Sequence, residues 1–261
     1  YCQAEENPCK FHGVGPFEIE TGQTHESSGP PSYTTVFGQS MVNLAQKDPT
    51  VVAVTAAMEY GTGLADFGKL FPKRFFDVGI AEQHGVIFAA GLSLEGLKPV
   101  VAIYSTFIQR GYDHLIHDVC MQELPVVFAL DRAGIVGEDG PTHHGVFDIA
   151  FCRSIPNLSI MAPSNEDELA DMLYTALQSG RPCAIRYPRS QGVGCLVKDN
   201  PVTVPFGKAE LLKDGRDLCI IAIGSMVEPA LDAARILAPL GISASDRKST
   251  RLNPVTEYDL V

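Results

Sequence analysis

Four short stretches of this chain combine residue types that perform chemistry with positions suited to it. The first is Asp77-Val-Gly-Ile-Ala-Glu82-Gln-His84, where an apolar run ends and a helical pattern starts. Ligands in open parallel sheets bind beyond the carboxyl ends of strands, so an acid at such a junction is placed to meet one. A Glu there also serves as an ordinary helix cap, and spacing alone does not separate the two readings. The second stretch, Tyr104-Ser-Thr-Phe107-Ile-Gln-Arg110, sits at another such junction. Phe107 could stack on a planar ring or simply fill core. The third runs from Asp131-Arg132 to His143-His144-Gly145 and gathers Gly134, Gly137, Glu138, Asp139 and Gly140 on the way. A solvated structural loop seldom needs such density. Histidine suits proton transfer near neutral pH, and arginine suits a phosphate. The fourth is Arg186-Tyr-Pro-Arg189, which also reads as a pair of surface charges. His12, in Lys10-Phe-His-Gly-Val, belongs to an extended segment.

Other chemistries are excluded by pattern. There is no G-x-S-x-G, no P-loop, no H-E-x-x-H and no G-x-G-x-x-G; Gly13-Val-Gly15 runs into Pro16. The 7 cysteines include no C-x-x-C pair, so zinc and redox-motif readings fail and buried reduced thiols are expected. A formal charge of -11 argues against a nucleic-acid partner, which needs a basic face. No apolar run reaches the ~18–20 residues of a membrane span. The expected location is the cytoplasm, with a plastid left open.

These residues need a scaffold that gathers strand ends. Val51–Thr55, Phe75–Val78, Pro99–Tyr104, Pro125–Leu130, Leu158–Ala162 and Cys183–Tyr187 read as strands. Runs such as Val-Val-Ala-Val-Thr are apolar on both faces, which marks a parallel sheet covered by helices on each side. Helices are predicted from a Ser32 cap to about Asn43, and over Leu64–Leu70, Ala81–Leu94, Thr106–Met121 and Ser164–Gln178. The fold class expected is therefore α/β over residues 33–196. Residues 206–261 are expected to begin a second α/β domain that stays incomplete, with strands at Ala209–Leu212, Leu218–Ile223 and Ile242–Ala244 and a helix at Met226–Leu240. Residues 1–32 read as a linker.

Taken together, Gly79-Ile-Ala-Glu82-Gln-His, Tyr104-Ser-Thr-Phe107-Ile-Gln-Arg110, Asp131-Arg132-Ala-Gly-Ile-Val-Gly, Met161-Ala-Pro-Ser164 and Arg186-Tyr-Pro-Arg189 resemble the transketolase superfamily. The resemblance runs from Tyr1 to about Ala244. It implies a transketolase-like pyrimidine-binding domain and thiamine diphosphate as cofactor. Within the superfamily, the Asp131-Arg132-Ala-Gly stretch is most similar to the branch that condenses pyruvate with D-glyceraldehyde 3-phosphate. Transketolase itself, the beta chain of a 2-oxoacid dehydrogenase, and a non-catalytic module on the same fold are the alternatives. The resemblance further implies that Glu82 bonds a pyrimidine nitrogen, Phe107 stacks on that ring, and Tyr1 and Arg110 border the cofactor. Tyr104, Arg132 and Arg189 would hold the acceptor's phosphate. Asp139, His143 and His12 would handle protons and hydroxyls. Full-length relatives are expected to be homodimers.

Two stretches depart from the family pattern. The Gly-Asp-Gly segment that binds Mg²⁺ and the diphosphate is missing, so that domain is expected upstream of Tyr1 and no metal ligand is assigned here. After Ala244 the chain reads Ser245-Asp-Arg-Lys-Ser-Thr-Arg251, polar where an apolar strand is expected, and nothing functional is assigned beyond it.

Overall fold

The computed structural model describes residues 2–6, 17–23, 29–249 and 251–252. Short apolar strands joined by helical segments favour right-handed crossovers, and six of the strands pair in parallel. These are β1 (Val51–Thr55), β2 (Phe75–Asp77), β3 (Lys98–Tyr104), β4 (Val127–Asp131), β5 (Ser159–Met161) and β6 (Cys183–Arg186), in the order β5-β6-β4-β3-β1-β2. A two-residue strand, Arg251–Leu252, adds antiparallel to β5. The α/β class is as the sequence implied.

Alternate residues of each central strand enter different cores. Val51, Ala53, Val100, Ala102, Val127 and Ala129 face one helix layer, while Val54, Val101, Ile103, Phe128 and Leu130 face the other. A short helix α1 (Cys2–Glu6) precedes the domain. The first layer holds α2 (Tyr33–Lys47) and α7 (Glu166–Gln178), and between them in sequence come α3 (Ala65–Leu70), α4 (Glu82–Leu94), α5 (Tyr112–His114) and α6 (Asp148–Arg153). Ser32 caps α2 as expected, its Oγ accepting from Thr35 N at 3.1 Å.

Two helices differ from their sequence reading. The helix expected over Thr106–Met121 is broken into a 3-10 turn (Phe107–Gly111), α5 and a π turn (Leu115–Cys120). Gly111 crosses α4 so closely that an added Cβ would lie 3.1 Å from Val86 Cγ2. The close crossing and the weak helix propensity of glycine favour a tight turn there. The helix expected from Ser164 starts at Glu166, because Asn165 is the cap and Glu168 folds back to accept from Ser164 N and Oγ, both at 2.7 Å.

The second unit is a three-stranded sheet of β7 (Ala209–Lys213), β9 (Ala244–Ser249) and β8 (Leu218–Ala222), with β9 central and α8 (Val227–Leu237) against it. The polar run after Ala244 thus occupies the middle strand, which starts two residues later than the Ile242 expected. Among the described cysteines, Cys120, Cys152 and Cys183 are buried, whereas Cys2 and Cys219 are exposed. No helix among the described residues is long and apolar enough to cross a membrane.

Candidate functional site

The carboxyl ends of β6, β4, β3, β1 and β2 follow one another in that order along the sheet, and the residues singled out from sequence cluster at them. Asp77 closes β2: its Oδ1 accepts from Ala57 N at 2.8 Å and Gly79 N at 2.9 Å, which turns the chain into α4. Glu82 is the first residue of α4 and is only 2% exposed. It does not cap its own helix; its Oε1 instead meets Arg110 Nη1 at 2.5 Å. That contact comes from the 3-10 turn after β3, which also carries Phe107.

From Glu82 the contacts run on without a break. The Arg110 guanidinium lies 4.8 Å from the Phe107 ring centre. Phe107 stacks on Tyr104 at 5.5 Å and meets the His143 ring edge-on at 5.3 Å. Arg132 covers the other part of Tyr104, with its guanidinium carbon 4.2 Å from the ring centre. Asp139 Oδ2 then stands between two cations, 3.5 Å from Arg132 Nε and 3.3 Å from Arg189 Nε. These are ion-pair distances without hydrogen-bond alignment, and Asp139 Oδ2 and Arg132 Nε are both buried without a hydrogen-bond partner among the described residues. Burial pushes the Tyr104 hydroxyl up against the opposing pull of Arg132, so it stays protonated and able to donate.

The glycine-rich loop is pinned at its neck. Gly134 and Gly145 exchange two backbone hydrogen bonds of 2.8 Å each. A Cβ at Gly145 would lie 2.4 Å from both Arg132 O and Ser105 Oγ, so only glycine fits. The two histidines divide the work. His144 Nδ1 accepts from Val136 N at 3.2 Å and staples the loop, while His143 Nδ1 shares a hydrogen with Thr142 Oγ1 at 3.0 Å and turns its ring to Phe107. Arg186 is committed to another partner, donating to the buried Asp148 at 2.7 Å at the start of α6.

Glu82, Tyr104, Phe107, Arg110, Arg132, Asp139, His143 and Arg189 are therefore one continuous cluster. Tyr1 and His12 lie outside the described residues. Sequence reasoning missed Thr34 and Gly61. Thr34 Oγ1 donates to Asp131 Oδ2 at 2.7 Å, and Gly61 O accepts from Arg132 Nη1 at 2.6 Å. No cluster of His, Cys, Asp and Glu among the described residues is arranged to hold a metal ion. A cavity of about 390 Å³ opens at the opposite rim, but its lining charges are already committed: Lys98 pairs with Asp48 at 2.9 Å, and Lys47 bonds Asp199 O and Asn200 Oδ1.

Comparison with known proteins gives this parallel sheet, with an acid and several cations at its strand ends, a family. Residues 29–193 match the family model of the transketolase pyrimidine-binding domain, and residues 207–245 match the transketolase C-terminal domain. The chain belongs to the transketolase pyrimidine-binding domain family. It is 57% identical over 245 residues to 1-deoxy-D-xylulose-5-phosphate synthase from Pelotomaculum thermopropionicum, covering 94% of this chain and 38% of the relative. It is 54% identical over 261 residues to the synthase of the same name from Desulfitobacterium hafniense, covering all of this chain and 41% of the relative. The chain thus spans about two fifths of the length of these relatives. A solved split gene transketolase, an inactive beta4 tetramer, matches with a TM-score of 0.76 at 31% identity, over 86% of this chain and 73% of its own. Transketolase from Leishmania mexicana matches with a TM-score of 0.73 at 22% identity, over 87% and 35%, a likeness of fold alone.

Proposed function

We propose that this chain is the pyrimidine-binding part of a thiamine-diphosphate enzyme that condenses pyruvate with D-glyceraldehyde 3-phosphate, yielding 1-deoxy-D-xylulose 5-phosphate and carbon dioxide. The observation that carries this reading is the unbroken run of contacts from the buried Glu82 to the Arg132–Asp139–Arg189 cluster. It offers a pyrimidine partner and a phosphate receptor within one site. The residues fit the cofactor: a carboxylate 2% exposed beside an aromatic face is a receptor for a polar, planar ring.

When bound, thiamine diphosphate supplies the electron sink for decarboxylation and carbon–carbon bond formation. The protein's part is to hold and to move protons. Glu82 would share a proton with a pyrimidine ring nitrogen in one hydrogen bond, in a dry setting where such a bond weighs more than in water. Phe107 offers its ring to the pyrimidine, and Arg110 exchanges its pairing with Glu82 for the ring's border. Tyr104, Arg132 and Arg189 receive the acceptor's phosphate, the arginines as forked donors. Phosphate arrival displaces Asp139 from between the two guanidiniums and frees it, with His143, to meet substrate hydroxyls. Tyr1 and His12 are proposed to complete the site. Mg²⁺ and the diphosphate are assigned to a region of the longer enzyme outside this stretch, and residues 1–32 to the connection with it.

The similarity to an inactive beta4 tetramer supports the view that this stretch does not turn over alone. Homodimerisation of the full-length enzyme is proposed on the exposed apolar face of α4, with Ile87 44% and Leu94 67% exposed. The test of the central reading is Glu82→Gln in the full-length enzyme. Turnover is expected to fall ~10²-fold or more with the fold retained by circular dichroism. Undiminished turnover would remove Glu82 from the mechanism and the reading with it.

A further inference from the structure

Arg132 has a φ of 61°, a left-handed conformation that a side chain other than glycine adopts only when its surroundings impose it. The imposing group is Asp131, the last residue of β4, whose side chain is completely buried. Its Oδ1 accepts from Arg132 N at 2.7 Å and lies 3.1 Å from Arg132 Nη1, while Thr34 Oγ1 donates to its Oδ2 at 2.7 Å. The same Nη1 donates to Gly61 O at 2.6 Å and reaches Thr34 Oγ1 at 3.4 Å. With the Tyr104 ring under its face, the guanidinium is held on one edge and one side. Its Nε edge faces Asp139, and Nη2 has no partner among the described residues. Beside this knot the Tyr187 hydroxyl is fully buried with no hydrogen-bond partner among the described residues. Arg189 is held more loosely: its side chain is 36% exposed, and its ion pairs are to Asp139 and the exposed Glu138.

We propose that Asp131, with Thr34 and Gly61, is a positioning residue that aims the Arg132 guanidinium at the acceptor's phosphate and thereby sets the preference for phosphorylated over unphosphorylated aldehydes. This rests on the proposed function. A guanidinium already fixed in direction loses little freedom on meeting a phosphate, so its charge-assisted bonds go into affinity rather than into ordering the side chain. Arg189, on a freer stem, closes on the phosphate afterwards.

The experiment uses the full-length enzyme and two acceptors, D-glyceraldehyde 3-phosphate and D-glyceraldehyde. Asp131→Asn keeps the size of the side chain and removes its charge. Thr34→Val releases the same carboxylate from the other side and serves if Asp131→Asn does not fold. Either variant is expected to raise KM for the phosphorylated acceptor ~10-fold. KM for pyruvate and the rate with D-glyceraldehyde should stay within about twofold. In an Arg132→Ala background, Asp131→Asn should add no further loss. Equal losses with both acceptors, or a full additional loss on top of Arg132→Ala, overturn the positioning role. If Arg132→Ala alone leaves KM for the phosphorylated acceptor unmoved, the phosphate site itself is misassigned, and both the underlying reading and this role fall.

Discussion

Glu82 shows why residue type and position must be read together. At the first position of a helix it had two readings, cap or ligand partner, and the structure turns its carboxylate to Arg110 instead of to the helix N–H groups. Gly61 makes the opposite point, since it acts through what it lacks. A Cβ there would lie 2.1 Å from the Tyr104 hydroxyl. Gly61→Ala is therefore expected to push Tyr104 from under Arg132 at a cost of about 1–3 kcal/mol in stability. KM for the phosphorylated acceptor should rise several-fold, which chemical denaturation and steady-state kinetics would measure. Glu82, Phe107, Arg132 and Arg189 were legible in the sequence because charged and aromatic groups stand out at strand ends. Thr34 and Gly61 were not. They contribute a hydroxyl and a backbone carbonyl, groups that hundreds of positions offer, and only folding brings them next to Asp131 and Arg132.

Among the elements, the stretch after β6 is a strap laid along α7. Its backbone N–H groups are satisfied by helix side chains: Val193 and Gly194 by Glu166, Lys198 by Asp167, Val202 by Asp171 and Val204 by Thr175. Burial pushes the Glu166 carboxyl up, but the backbone N–H donors, including that of Gly194, outweigh it and hold it below the usual range. Glu166→Ala should cost about 2–4 kcal/mol and open the strap to proteolysis, because the N–H groups of Val193 and Gly194 and the Cys195 thiol lose their acceptor at once. A second acid reports on pH. Burial raises Asp48, yet hydrogen bonds from Thr50 and Lys98 prevail and bring it from 3.8 to about 2. A depressed carboxyl stabilises the fold above its unfolded pKa and loses that contribution as pH falls through the folded value. Compared with Asp48→Asn, the wild type should shed about 1–2 kcal/mol between roughly pH 4 and pH 2 in acid-titrated melts, the partial exposure of the pair keeping the figure low. Strands were the easiest elements to foresee, since burial on both faces leaves an unbroken apolar run. The break at Gly111 was hidden because the residues around it keep helical spacing; its cause is a contact with α4.

Across the whole molecule, the second unit carries its least comfortable residue at its centre. Asp246 is completely buried in β9 between Lys213 and Ile220, and neither carboxylate oxygen has a hydrogen-bond partner among the described residues. Lys213 spends its ammonium on Ala234 O instead. Asp246→Val should stabilise this unit by about 1–3 kcal/mol, seen as slower limited proteolysis, since a buried polar group without a partner is costly. The polar run was not readable as a strand because it lacks the apolar alternation that marks one. It takes the middle place by joining β7 to β8, and Lys248 ties it to Glu168 of α7 at 2.9 Å. The large sheet is different in kind: every cluster residue stands at or beyond its carboxyl rim, and β3, seven residues long, sets the distance to the other rim at roughly 20 Å. The hairpin-like bend at Gly180 and Arg181, exposed and just ahead of β6, belongs to that far rim. It is a handle: a fluorophore or a surface tether attached there would leave the working end of the protein facing open solution.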